Sequence, residues 1–275
     1  MTRAPVLLIS TDFDGTLVEH GNPAPFSPEL VEILRFLRGR GVRWAINTGR
    51  NLPWMVDGLA TFSLPIHPDF AITAEREIHE PAPNGNGWRD LGDWNAVCRQ
   101  RHETLFEAAA PLLAEIIRHV ERETKAEARF ARHTGPGEAN KTRDPRELAG
   151  VVATSDAEMD RIVAFVDGLR GSVPDFSYQR NSIYLSFCHQ AYDKGTALAA
   201  LARSIGVPRE SVFAIGDHQN DLPMLTGEHA GHVACPGNSI AQVKTAVHAA
   251  GGYVAEAGYS AGVIEALRYY CDDLP

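Results

Sequence analysis

Cysteine is scarce in this 275-residue chain. The four cysteines, Cys98, Cys188, Cys235 and Cys271, are far apart and form no CxxC pair. That spacing gives no support to a zinc cluster, and a chain this long does not need a disulfide framework. Buried, reduced thiols and a cytoplasmic setting are expected. The eleven histidines form no HxxxH or HxH pair, so a histidine metal site is not expected. No apolar run approaches the roughly 20 residues of a membrane span. The opening run Val6–Ile9 is too short for the core of a secretory signal. Positive charge is also short. The formal net charge is -9, which argues against nucleic acid or an anionic membrane as partner. No internal repeat or low-complexity segment interrupts the chain.

What is present is an ordinary globular composition, 44% hydrophobic and 22% charged. Val6–Thr11 reads as a short buried strand ended by Asp12, Asp14 and Gly15. Ser27-Pro28 opens a helix carrying Leu30, Ile33, Leu34 and Leu37 on one stripe. Val42–Ile46 and Phe70–Thr73 read as further strands, with a helix over about 52–60 between them. This alternation predicts an α/β fold with a Rossmann-like parallel sheet.

Pro81, Pro83, Gly85, Gly87 and Gly92 then crowd a hairpin between Glu77–Glu80 and Trp88–Leu91. A helical stretch from Trp94 to about Lys125 follows, broken near Pro111. A loop is expected at His133–Gly137 and a strand at Val151–Ala153. After the 156–169 helix come two strands, Phe176–Gln179 and Ser182–Phe187, around a turn at Arg180-Asn181. The βα rhythm returns after Tyr192. The expected organisation is a discontinuous catalytic core, 1–84 with 190–275, and an inserted α+β cap, 85–189.

Four segments carry chemistry. Asp12-Phe13-Asp14-Gly15-Thr16 ends the first strand, where open α/β sheets bind ligands. Two carboxylates two residues apart repel and call for a cation or a shared proton. One then suits nucleophilic attack and the other proton transfer. Gly15 and Thr16 supply a tight turn whose backbone N–H groups suit phosphate oxygens. Thr48, Gly49 and Arg50 follow the second strand and offer a hydroxyl, close backbone approach and a cation. Lys194 opens a helix, an unfavourable place for a cation beside the dipole, which points to a use for its charge. Gly216-Asp217-His218-Gln219-Asn220-Asp221 is an oxygen-rich loop suited to Mg²⁺.

Together these segments resemble the haloacid dehalogenase superfamily. DFDGT, NTGR, the DKG around Lys194 and GDHQND stand in the family's order, over about Pro5–Arg76 and Tyr192–Pro275. The resemblance implies Asp12 as nucleophile, Asp14 as general acid/base, and Thr48 and Lys194 as phosphate contacts. It implies Mg²⁺ held by Asp12, Asp14 through its carbonyl, and Asp217, with Asp221 close by.

The insertion point is similar to that of subfamily IIB, shared by Cof-type and sucrose-phosphate phosphatases. The Asn-Gly pair of Cof-type members is missing from Ala71–Ile78, which is closer to the sucrose-phosphate branch with Arg76 in place of its glycine. In this superfamily the cap selects the substrate. Glu75, Arg76, Arg132, His133, Lys141, Arg180 and Asn181 are candidates for that role, alongside Gly15, Thr16, Gly49, Arg50 and Asn220 in the core.

The expected activity is Mg²⁺-dependent hydrolysis of a small phosphorylated metabolite, a sugar phosphate first, through an aspartyl-phosphate. The expected assembly is a monomer or small homo-oligomer. A phosphomutase-type phosphotransferase, a signalling receiver and a non-catalytic sugar-phosphate-binding module are the alternatives.

Overall fold

The computed structural model describes residues 3–19, 26–130 and 144–275, so the expected loop at His133 and the candidates Arg132, His133 and Lys141 lie outside the described residues. The chain divides into two compact units, Met1–Asn95 with Asp193–Pro275, and Ala96–Tyr192.

The first unit is built on β1 (Leu8–Thr11), whose four residues are all buried. Helix α1 (Pro28–Gly39) starts at Ser27, whose hydroxyl accepts the Leu30 N–H. Strand β2 (Arg43–Asn47), helix α2 (Leu52–Thr61) and strand β3 (Phe70–Thr73) follow, then the hairpin β4 (Glu77–Pro81) and β5 (Trp88–Asp90). This hairpin pairs antiparallel on β3 and therefore extends the sheet of the first unit up to Asn95.

The second unit holds most of α3 (Trp94–Ala108), then α4 (Ala110–Glu123), β6 (Glu127–Phe130), β7 (Leu148–Val152), α5 (Asp156–Arg170), β8 (Phe176–Asn181) and β9 (Tyr184–His189). Its four strands run in the order β6-β7-β9-β8, all antiparallel. Leu113, Ile116 and Val120 of α4 and Met159, Ile162 and Val166 of α5 share one core with Val151, Leu185 and Phe187 of this sheet. Pro111 sits in the first turn of α4, where a missing N–H costs no helical bond.

Two details differ from the sequence reading. Strand β6 is an edge strand that alternates charge with Ala128 and Phe130, so it lacks the apolar run of a buried strand. The turn between β8 and β9 falls at Ser182, whose φ of 51° is left-handed; Arg180 and Asn181 pair with Leu185 and Tyr184 inside the ladder.

The chain returns to the first unit with α6 (Lys194–Ser204), β10 (Val212–Ile215), the short α7 (Leu222–Leu225), β11 (His232–Cys235), α8 (Ala241–Ala249), β12 (Tyr253–Val254) and α9 (Tyr259–Tyr270). The sheet order is β12-β11-β10-β1-β2-β3-β4-β5, parallel from β12 to β3. Alternate residues of each strand enter opposite layers. Ile9, Phe213 and Ile215 pack with α1, α2 and α9, while Leu8, Val212 and Ala214 pack with α6, α7 and α8. The fold is the expected α/β class, with β1 central. The parallel strands β1, β2, β3 and β10 therefore bring their C-terminal ends to one edge, and every core candidate lies just beyond one of them or at the start of α6.

Candidate active site

Asp12 leaves the end of β1 with its backbone N–H donating to Ile215 across the sheet, at 3.0 Å. The residue is buried. Phe13 turns away into the apolar layer, edge-on to Phe62, and fixes the chain there. Asp14 then faces the site edge. Gly15 takes φ +88°, and a Cβ on it would fall 2.4 Å from Asp217 Oδ2, so only glycine lets the two loops meet. The Thr16 hydroxyl donates to Asp217 Oδ1 at 2.9 Å.

Thr48, Gly49 and Arg50 leave β2. The Arg50 guanidinium grips both oxygens of Asp14, each at 2.6 Å, in the two-pronged geometry that suits a carboxylate. The Thr48 hydroxyl accepts the Arg50 N–H at 3.1 Å. After β3 the chain bends through Ala74 and Glu75, both left-handed with φ of 47° and 66°. In that bend the Ala74 and Glu75 N–H groups donate to the Arg50 and Thr48 carbonyls, at 2.7 and 3.0 Å.

Lys194 is fully buried at the first position of α6. Asp193 caps the helix, and Thr196 completes a capping box, which offsets the awkward place of the cation. The ammonium donates to Asp12 Oδ1 and to Asp221 Oδ1, both at 2.6 Å. Burial opposes its charge, yet Asp12, Asp221 and Glu75 outweigh that and hold Lys194 above the usual lysine range.

Asp221 Oδ2 accepts the backbone N–H groups of Asp217 and His218 at 2.8 and 2.9 Å, folding the GDHQND loop around its own carboxylate. A Cβ at Gly216 would collide with that carboxylate at 2.4 Å. Asn220, also buried, donates from its amide to Glu75 Oε1 at 2.9 Å.

Five carboxylates, Asp12, Asp14, Glu75, Asp217 and Asp221, thus face three cations, Lys194, Arg50 and Arg76, and the excess is negative. Burial and then the Asp221 charge push Asp217 from 3.8 up to about 7. Burial likewise raises Asp12, opposed by Lys194 and reinforced by Asp221 and Asp217. Asp12, Asp217 and Asp221 each offer an oxygen within 4.8 Å of the others. Hard oxygen donors, surplus negative charge and carboxylates strained toward protonation all fit a divalent cation.

The first unit therefore brings together the core candidates Asp12, Asp14, Thr16, Thr48, Arg50, Lys194, Asp217, Asn220 and Asp221, with Gly15 and Gly49 at the close approaches. Arg76 follows Glu75 at the same edge and donates back to the Ala74 carbonyl at 3.2 Å. Arg180 belongs to the second unit, where its guanidinium is committed to Asp160 at 2.6 Å and to Asp156 at 3.5 Å. That pairing ties β8 to α5 within the second unit.

Two supporting residues escaped the sequence reading. The Asn47 amide holds the Lys194 carbonyl at 3.0 Å. The Asn238 amide holds the Gly15 carbonyl at 2.8 Å and its oxygen accepts the Tyr259 N–H. Both act on backbone from distant elements; Asn47 opens the NTGR segment without that role being legible there, and nothing near Asn238 in sequence marks one.

The sequence model of the haloacid dehalogenase-like hydrolases matches residues 97–267, more than half of the chain. The chain belongs to this family. A phosphoglycolate phosphatase of Methanoculleus marisnigri is 28% identical over 261 residues, covering 94% of each chain. Among solved structures, the sucrose-phosphatase of Synechocystis superposes with a TM-score of 0.67 at 18% identity, over 97% of this chain and 98% of that one. A sugar phosphatase of HAD subclass IIB gives a TM-score of 0.65 at 17% identity, over 96% and 98%. The fold is thus that of subclass IIB haloacid dehalogenase enzymes. The expected class, a phosphoric monoester hydrolase, is met: the family is one of hydrolases, and these relatives are phosphatases.

Proposed function

We propose that this haloacid dehalogenase-family chain is a Mg²⁺-dependent phosphatase that acts through an aspartyl-phosphate on Asp12. The observation that carries this reading is the placement of Asp12. It is a buried carboxylate at the end of the central strand, pinned by a buried ammonium and grouped with Asp217 and Asp221. Its own surroundings disfavour its charge, which is what an anionic nucleophile awaiting a cation looks like.

In the first half-reaction an Asp12 carboxylate oxygen attacks phosphorus. The bond from phosphorus to the ester oxygen breaks, and that oxygen takes its proton from the Asp14 carboxyl. In the second, water attacks the same phosphorus while Asp14 takes its proton; the acyl-phosphate bond breaks and Asp12 is regenerated. Arg50 sets the direction of Asp14. The Thr48 hydroxyl, the Gly49, Gly15 and Thr16 backbone and the Lys194 ammonium bind the phosphoryl oxygens. Asp12, Asp217 and the Asp14 carbonyl, with Asp221 adjacent, would hold Mg²⁺, which when bound neutralises charge on the transferring group.

The substrate is a small phosphorylated metabolite. A sugar phosphate is the first reading, and the second unit (with Arg180 and Asn181) is the candidate for selecting it. Phosphoglycolate is a second reading, favoured by the relative matched over 94% of each chain. The four free thiols are in keeping with a reducing cytoplasm.

The test is phosphate release from a panel holding sugar phosphates and phosphoglycolate, with Mg²⁺ and with EDTA. Release with Mg²⁺ alone is expected, and its loss in Asp12→Asn with the fold retained. Release unaffected by EDTA, or appreciable turnover by Asp12→Asn, would contradict the reading.

A further inference from the structure

Glu75 has no part in the chemistry above, yet the site is folded around it. It is buried, 5% exposed, and sits at a φ of 66°, a conformation that costs a non-glycine residue energy. Such strain persists where the surroundings enforce it, and here three contacts do. Its N–H donates to the Thr48 carbonyl, the Ala74 N–H before it donates to the Arg50 carbonyl, and its Oε1 accepts the Asn220 amide. Glu75 therefore ties the turn after β2 to the loop after β10. A Cβ on Gly49 would lie only 3.3 Å from Oε1, so the carboxylate lies directly against that turn.

The second oxygen is more telling. Glu75 Oε2 and Asn220 Oδ1 are both buried without a hydrogen-bond partner. A fold rarely buries two acceptors unpaired unless they meet a charge. The charge at hand is Lys194, whose field acts on Glu75 and which feels Glu75 after Asp12 and Asp221. Arg76 and Asp221 are the other charged groups facing Glu75. Two of the three donors of the ammonium go to Asp12 and Asp221.

We propose that Glu75 is a positioning residue of the phosphate site, holding Asn220 and the Thr48–Gly49 turn in register and serving as a third counter-charge to Lys194. Its geometric part favours binding of a phosphoryl group. Its charge opposes it, because each carboxylate near the ammonium weakens the pull on an incoming dianion. The balance lets inorganic phosphate leave after turnover. This inference rests on the proposed phosphatase reading.

The two parts are separable by substitution. Glu75→Gln keeps an oxygen for the Asn220 amide and removes the charge. Glu75→Asp keeps the charge and withdraws it by one methylene from Asn220. The measurement is the inhibition constant of inorganic phosphate against hydrolysis of para-nitrophenyl phosphate in Mg²⁺, with kcat and KM read separately and folding checked by circular dichroism. Glu75→Gln is expected to bind phosphate several-fold to about ten-fold tighter, with a fall in kcat. Glu75→Asp is expected to bind it more weakly and to raise KM.

A residue that only stabilises the fold would lower the melting temperature and leave the inhibition constant unchanged. An unchanged constant in Glu75→Gln overturns the charge role, and an unchanged KM in Glu75→Asp overturns the register role. If one variant does not fold, the other still decides its own half. Wild-type protein inactive with Mg²⁺ would instead overturn the phosphatase reading itself.

Discussion

Lys194 shows how a single side chain can be both expensive and necessary. A fully buried ammonium is tolerable because Asp12 and Asp221 each accept a hydrogen bond from it at 2.6 Å. Replacing it by methionine keeps the volume and the helix start but strands those carboxylates. We expect Lys194→Met to lose stability by roughly 3–5 kcal/mol in urea unfolding, together with turnover. A loss of activity with no change in stability would mean that the carboxylates had found other partners.

The contrast with Arg180 is instructive, because both basic residues stood out in the sequence as candidate anion contacts. Lys194 was legible because it begins a helix, where a cation needs a reason. Arg180 had no such context, and its partners Asp156 and Asp160 are one helical turn apart on α5, visible only once β8 is laid beside that helix. Glu75 was a candidate for reading substrate, but its burial beneath Asn220 depends on two consecutive left-handed residues after β3, which no residue type there announces.

At the scale of elements, the parallel strands are what made the site readable. Short apolar runs ended by charged or glycine-rich turns marked β1, β2 and β10, and a parallel sheet brings such turns to one edge. Order along the chain therefore sufficed to assemble Asp12, Thr48 and Asp217. What was not readable was β6, because an edge strand need not be apolar on both faces, and the exact turn between β8 and β9, set by the backbone of Ser182. The loops after β1 and β10 approach each other closely at Gly15. Gly15→Ala places a Cβ against Asp217 at a φ of +88°. We expect it to cost about 1–3 kcal/mol and to raise the Mg²⁺ concentration needed for half-maximal phosphate release. Unchanged Mg²⁺ dependence would show that the two loops do not form one cation site.

Across the whole molecule the net charge of -9 is concentrated in one way that matters: five carboxylates meet three cations in a single site. Asp12, Glu75 and Asp217 are all shifted upward, first by burial. A raised carboxyl holds its proton more tightly in the folded state than in the unfolded chain. Its contribution to stability is therefore complete below the unfolded value, 3.8 for Asp217, and is lost as pH rises through the folded value of about 7. The cation-free protein should melt at lower temperature at about pH 8 than at about pH 5.5. Added Mg²⁺ should raise the melting temperature more at the higher pH, because a cation binds the deprotonated carboxylates. A Mg²⁺ effect that is flat or larger at the lower pH would contradict this assignment of the charges. The same surplus is consistent with a site that takes a cation and a phosphate together.

The most direct test of the account is to quench the enzyme in acid during steady turnover of its best substrate with Mg²⁺ and to weigh the proteolytic peptide that carries Asp12. The account predicts a phosphoryl group on Asp12, formed only with Mg²⁺ and absent from Asp12→Asn. A phosphoryl group on another residue, or an unmodified Asp12 peptide throughout rapid turnover, would contradict it.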